Sequence, residues 1–524
     1  MAEMTFTELT PVSFLERAAK VFAERTAVVD GTVRYSYEQF WLRARRLAGV
    51  LAERGVEKGD RVAVLAPNTH VLLEAHYGVP LAGAVLVALN TRLAAGEVGY
   101  ILRHSGAKLL IVDSGLRSVA QDAARDAGLD LPLIVSGSEN LAGDEYEELL
   151  GRAAPHRVEV TDERSLLSIN YTSGTTGKPK GVMYHHRGAY LQALAMAYHS
   201  KMDTSSRYLW TLPMFHTNGW CFPWAVTAAG AVHRCLPKAD PGEIWRAVRE
   251  EGITHFCAAP TVLAKLADHP AAQQGAPPQR IRVFAGGAPP WSSLLATMER
   301  LGIDVQHLYG LTETFGPAVV SEWQSEWDNL PDDERARLKA RQGIANVVAE
   351  PVRVLDPAGN DVPADGATLG EIVLRGNDVM LGYYRDEEAT EAATVQGWFR
   401  SGDVGVIHPD GYVELRDRIK DVIISGGENI TSVEVENALA AHPDVLEAAV
   451  VGAHHPTWTE VPVAYVTLRS PASVTEAELA EFVRDRIARF KAPRRIVFGE
   501  LPKTSTGKIQ KNTLRESAAD LSLE

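Results

Sequence analysis

The chain has 524 residues, 45% hydrophobic and 23% charged, with a formal net charge of -14. That length asks for at least two domains, and the composition is that of a soluble globular protein. The acidic balance excludes a general nucleic-acid or anionic-membrane binder, so a polyanionic ligand has to meet a local basic site.

From the start, Met1 to Pro11 lacks a basic stretch followed by an apolar core, so no secretory signal is expected. Phe14, Leu15, Ala18, Ala19 and Phe22 follow a helical period from Ser13 to Glu24, and Ala27 to Val29 reads as a strand. Ser36 is placed to cap a second helix running through Leu51. Arg61 to Ala66 has the pattern of a strand buried on both faces. A helix from about Val71, a strand at Ala84 to Val87, a helix at Ala95 to Ser105 and a strand at Lys108 to Val112 continue an alternation that predicts a parallel sheet covered by helices. The apolar window from His70 to Asn90 carries Glu74, His76 and Pro80 and reads as buried helix and strand, not a membrane span.

A strand from Leu166 to Ile169 precedes the twelve-residue stretch Tyr171-Thr-Ser-Gly-Thr-Thr-Gly-Lys-Pro-Lys-Gly-Val182, and a helix is predicted from Arg187 to Tyr198. Gly174, Gly177 and Gly181 let backbone N–H groups converge, Thr172, Ser173, Thr175 and Thr176 add hydroxyls, and Lys178 and Lys180 add charge. This is the chemistry of a triphosphate cradle, although it is not a Walker loop and a solvated polar loop would share its composition. Further strands are expected at Leu209 to Leu212, Thr254 to Ala258, Arg282 to Ala285 and Asp304 to Leu308. Glu322 to Arg341 reads as a charged surface helix on a long connection, with no chemistry assigned. Short strands at Val352 to Leu355, Gly370 to Arg375 and Gly411 to Arg416 predict a small β subdomain, about 350–417. The last hundred residues read as a compact α+β unit: strands at Val422 to Ser425, Ala448 to Ala453, Val461 to Leu468 and Arg495 to Phe498, with helices at Ser432 to Ala441 and Thr475 to Ala492. The expected fold is therefore α/β: a large N-terminal domain, 1–417, then a small α+β domain, 418–524. Cys221, Cys235 and Cys257 have no metal-ligand spacing and read as free thiols in a reducing compartment, the cytoplasm.

The twelve-residue loop resembles the phosphate loop of the adenylate-forming superfamily, which includes acyl-CoA synthetases. The resemblance continues in order along the chain: Pro213-Met-Phe-His-Thr-Asn-Gly-Trp220, Ala285-Gly-Gly-Ala-Pro-Pro290, Tyr309-Gly-Leu-Thr-Glu-Thr314, Ser401-Gly-Asp403, Ser425-Gly-Gly-Glu-Asn429 and Leu501-Pro-Lys-Thr-Ser-Thr-Gly-Lys508. Read alone, the aromatics around His216 are more often plain core than a binding pocket. The resemblance implies ATP, Mg²⁺ and coenzyme A as cofactors, with Ser173, Gly174, Thr175, Thr176, Gly177 and Lys178 on the phosphates. It gives catalytic roles to Lys508, Glu313, Thr172 and His216, with Glu313 as the metal ligand. Gly287, Ala288, Tyr309, Gly310 and Thr312 would face the nucleotide, and Asp403 and Arg418 the ribose. Phe215, His216, Trp220, Gly286 and Gly310 would line the acid pocket, Lys420 would be the hinge, and Gly426 and Gly427 would let the pantetheine arm pass.

The implied reaction is attack of a carboxylic acid on ATP to give acyl-AMP and pyrophosphate, then displacement of AMP by coenzyme A. An amine or a carrier-protein thiol as acceptor, or a silent acyl-nucleotide sensor, would share most of these motifs. The aromatic segment and the absence of a basic partner there favour an apolar monocarboxylic acid, fatty acids first and cinnamic-type or other aryl acids second. The expected partners are the small-molecule acid and CoA, with no nucleic acid and no integral membrane segment. A homodimer is the oligomer that analogy with relatives suggests.

Overall fold

The computed structural model describes residues 5–137, 144–172, 178–287, 290, 292–469, 473–503, 509–519 and 521. Two large sheets form the N-terminal part. The first has six strands in the order Leu133–Ser136, Ala107–Asp113, Arg61–Leu65, Val85–Ala88, Leu166–Tyr171 and Gly181–His185. Its first five strands run parallel, as the alternation predicts, and the last is antiparallel. The second has nine strands, with six parallel strands in its interior and antiparallel pairs closing both ends. Buried parallel strands need apolar side chains on both faces, and Arg61–Leu65 and Val85–Ala88 have them. The helix His70–Leu81 is buried from Val71 onward, which explains why its sequence is apolar all round without spanning a membrane. No helix among the described residues is long and apolar enough to cross a membrane.

A five-stranded sheet follows, with Trp398–Ile407 at its centre and Val413–Arg418 beside it. The C-terminal sheet carries Val445–His455 against Thr459–Leu468, with Arg495–Phe498 added in parallel. Its core of Ile423, Val435, Leu439, Val450, Val466 and Leu479 is separate from the N-terminal clusters.

Several expectations needed correction. The phosphate loop does not run from a strand directly into a helix: Gly181–His185 forms a hairpin with Leu166–Tyr171 before the helix His186–His199 begins. The strand expected at Leu209 to Leu212 lies at Arg207–Leu209, and the long helix expected from Thr475 ends at Arg484. The 322–341 segment is more than a solvated helix. Trp327 packs edge-on against Tyr412 at 5.2 Å, Arg341 lies 4.4 Å over the Tyr412 ring, and Tyr412 donates its hydroxyl to the Glu322 carbonyl. The segment thus straps the nine-stranded sheet to the turn between Trp398–Ile407 and Val413–Arg418.

Candidate active site

Ligands of open α/β sheets bind beyond the carboxyl ends of the strands. Thr172, the 211–216 segment, Gly286 and Gly287, and Tyr309 with Gly310 all lie at such ends. The phosphate hairpin is closed at its neck: the Thr172 amide donates to the Lys180 carbonyl at 3.0 Å, and the Lys180 amide to Thr172 Oγ1 at 3.2 Å. Ser173, Gly174, Thr175, Thr176 and Gly177 lie outside the described residues. The two flanking ammonium groups rest over aromatic faces, Lys178 at 5.7 Å from Tyr100 and Lys180 at 4.7 Å from Tyr383.

Tyr383 is a site residue that the sequence reading missed. Its segment is stitched to the hairpin by Leu381 N–H to Met183, Met183 N–H to Gly382 and Tyr384 N–H to Gly181, at 3.0, 3.0 and 2.7 Å. From that fixed position the phenol donates to Glu313 Oε1 at 2.8 Å. The Glu313 backbone is held as well, since its carbonyl accepts from the Met380 amide at 2.8 Å, and the Thr312 carbonyl accepts from the Tyr184 hydroxyl. One Glu313 oxygen is thereby committed and the carboxylate oriented. Among the described residues no group of three or more His, Cys, Asp or Glu could hold a metal. The oriented carboxylate is a hard oxygen donor that fits Mg²⁺, and Glu313 would hold the ion. Bound there, the ion would supply Lewis-acid stabilisation of phosphate charge.

Three residues expected to face the nucleotide, distant in sequence, converge. Asp403 and Arg418 are register partners on adjacent strands, with Arg418 Nε 3.1 Å from Asp403 Oδ1. Tyr309 donates its hydroxyl to Asp403 Oδ2 at 2.8 Å. Burial, then the Asp403 charge, pushes the Tyr309 hydroxyl well above its ordinary pKa, so it stays a donor. At Gly310 the Ile303–Leu311 and Gly316–Val320 strands leave no room for a side chain: a Cβ there would sit 2.0 Å from the Gly316 carbonyl oxygen.

The segment expected to line the acid pocket is built on an unusual turn. Beyond His216, which is half-buried, Thr217, Asn218, Gly219, Trp220 and Cys221 have φ of 47°, 38°, 53°, 54° and 62°. Left-handed backbone costs an L-residue about 1 to 2 kcal/mol, and consecutive non-glycine examples persist only where the surroundings hold them. The turn drives the Trp220 indole between two glycines. A Cβ at Gly286 would meet Trp220 Cη2 at 2.7 Å, and one at Gly316 would meet Trp220 Cα at 3.0 Å and the indole Cδ1 at 3.3 Å. Trp220 and Phe215 are each only 8% exposed. Gly287 is exposed, and Ala288 lies outside the described residues.

In the small domain, Gly426 and Gly427 form the exposed turn between Ile423–Ser425 and Glu428–Ile430, with φ of 61° and 88°. Gly426 is backed by Trp458, whose carbonyl accepts its amide at 2.8 Å. Lys420 is exposed at the end of the preceding strand, and its carbonyl accepts from Arg515 at 3.3 Å. Lys508 lies outside the described residues. An antiparallel bridge from Lys503 to Ile509 closes the neck of its loop.

The AMP-binding enzyme family profile matches residues 15–384, and that of the AMP-binding enzyme C-terminal domain matches 434–508. The chain is 43% identical to an acetate/butyrate–CoA ligase of Arabidopsis thaliana, named peroxisomal, over 98% of this chain and 95% of that one. It is 41% identical to a benzoate–CoA ligase of the same plant, also named peroxisomal, over 100% and 96%. Among solved structures, ATP-bound MatB from Rhodopseudomonas palustris superposes with a TM-score of 0.85 at 27% identity, covering 97% of this chain and 99% of that one. The chain belongs to the AMP-binding enzyme family and is an acid–thiol ligase of its AMP-forming kind.

Proposed function

We propose that this enzyme activates a short aliphatic carboxylic acid as its acyl-AMP and transfers the acyl group to coenzyme A. The observation that carries the chain length is the Trp220 indole wedged against Gly286 and Gly316. Those glycines are where the acid would lie, and a buried indole packed against them would shorten the space open to a tail. This narrows the fatty-acid expectation drawn from the aromatic segment. In this reading the aromatics that suggest an apolar tail would occupy part of the space a long one needs. The acetate/butyrate ligase among the relatives supports the reading. A small aryl acid is the second reading, favoured by the benzoate ligase, because a flat ring can lie along an indole face.

In this reading the Lys178 and Lys180 hairpin holds the β- and γ-phosphates, and Tyr309, Asp403 and Arg418 hold the nucleoside. Glu313 holds Mg²⁺, His216 flanks the acid carboxylate, and Lys508 meets carboxylate and α-phosphate together. The anionic acid is repelled by the triphosphate. These cations lower that barrier, and fixed positioning supplies much of the remainder. Rotation about Lys420 then brings Gly426 and Gly427 to the site for thioester formation. Acids from acetate to palmitate, with benzoates and cinnamates, scored by kcat/KM, test the assignment. A maximum at two to about five carbons is expected from the pocket argument, and a maximum at palmitate would overturn it.

A further inference from the structure

Asn218 stands at the centre of a buried hydrogen-bond knot that the roles above do not use. Its Oδ1 accepts from Ser168 Oγ at 2.6 Å and from Asn170 Nδ2. Its backbone amide donates to Asn170 Oδ1 at 3.0 Å, and its Nδ2 lies 3.0 Å from His76 Nε2. His76 Nδ1 is 2.7 Å from the Leu72 carbonyl, which can only accept. Nδ1 therefore carries the ring proton, and Nε2 accepts from Asn218. All four side chains are buried, Ser168, His76 and Asn218 at 0% exposure and Asn170 at 2%. Every polar atom of the Asn218 amide group is thus satisfied, as a buried network requires.

The members come from three places. His76 is on a buried helix, and Ser168 and Asn170 are on the strand that ends in the phosphate loop. Asn218 lies in the left-handed turn, two residues after His216 and two before Trp220. The turn's conformation is one that L-residues resist, and asparagine tolerates it better than most.

We infer that Asn218 is a positioning residue for the acid substrate: its side chain locks the His216–Trp220 turn to the phosphate-loop strand, holding the acid in register with ATP. The inference rests on the acid-activation reading above. A purely backbone role is the competing account, and the substitution Asn218→Gly separates the two. A glycine would adopt the left-handed conformation more easily than Asn218 does while deleting the knot.

The experiment compares wild type, Asn218→Gly and Asn218→Asp, using acid-dependent pyrophosphate exchange, calorimetric ATP binding and thermal melting. Asn218→Gly should raise the KM for the acid by on the order of ten- to a hundredfold, the scale of a misplaced reactant, with ATP affinity close to wild type and a melting temperature lowered by a few degrees, because Ser168 Oγ, Asn170 Nδ2 and His76 Nε2 lose their partner. Asn218→Asp adds a pH signature. Its carboxylate can pair with His76 only if Nε2 also carries a proton. The acid KM should then be nearest to wild type at pH 6 and rise toward pH 9. The signature is the ratio of the variant's KM to the wild type's, because His216 beside the acid is common to both, while in the wild type burial holds His76 down at about 4 and the neighbouring His233 at about 3. An unchanged acid KM in Asn218→Gly would overturn the role. If that variant does not fold, a pH-independent defect in Asn218→Asp would overturn it. A wild type that adenylates no acid would instead overturn the reading of the reaction, and this role with it.

Discussion

Tyr383 Oη and Glu313 Oε1 are 2.8 Å apart, and that hydrogen bond joins the expected metal carboxylate to the phosphate hairpin. Tyr383→Phe removes the donor and keeps the ring under Lys180. A hydrogen bond to a charged group contributes about 1.5 to 3 kcal/mol. Adenylation at low Mg²⁺ should therefore fall by roughly ten- to a hundredfold and recover in part as Mg²⁺ is raised. Tyr383→Leu also removes the aromatic face and should weaken ATP binding. Mn²⁺ binding in the presence of a non-reactive ATP analogue, followed by electron paramagnetic resonance, reads the metal term without turnover.

Asp403 accepts from both Tyr309 and Arg418 and is buried, while Arg418 is 32% exposed. Asp403→Asn should therefore cost more than Arg418→Ala. The expected change is a rise in the ATP KM of about tenfold, the scale of a charge-assisted hydrogen bond, with little change in the acid KM. Equal effects on both substrates would contradict the assignment of Asp403 to the nucleotide.

Trp220→Ala removes the indole between Gly286 and Gly316 and should shift the acid preference toward longer chains. Each added methylene that finds cover contributes about 0.8 kcal/mol, roughly fourfold in kcat/KM. A chain-length profile scaled down uniformly, with its maximum unmoved, would show that Trp220 does not set the length.

Stability should fall on both sides of neutrality. Burial holds His76, His233, His255 and His307 at about 4, 3, 4 and 4, below the ordinary 6.5. The unfolded chain takes up protons there first, so their contribution is complete above about pH 6.5 and is lost as the pH falls toward 4. His70 behaves in the opposite sense. Burial disfavours its charge, but hydrogen bonds to Asp30 and Glu147 prevail and raise it to about 10. Its contribution is complete below pH 6.5 and is lost as the pH rises through 10. Melting temperatures from pH 4 to 10 should show a maximum near pH 6.5, and His70→Gln should flatten only the alkaline side.

The parallel strands were legible because burial on both faces writes itself as continuous apolar runs, as at Arg61 to Leu65. The site motifs were legible because their chemistry is local and their order matched a family. What could not be read was long-range. Asn218 meets His76 across 142 residues and Asn170 across 48, and no local pattern marks either. Tyr383 is an ordinary aromatic until its neighbours are seen. Gly181 to His185 was read through because its residues sit between a strong loop signal and a strong helix signal. The strap at 322–341 looked solvated because its charges are visible in sequence, while the stacking of Trp327 and Arg341 on Tyr412 is not.

The most direct test of the account is product stoichiometry. Wild-type enzyme, MgATP, coenzyme A and a short-chain acid such as butyrate should give AMP, pyrophosphate and the acyl-CoA in equal amounts, with AMP and pyrophosphate both dependent on the acid. ADP with orthophosphate, or AMP and pyrophosphate without a thioester, would contradict it.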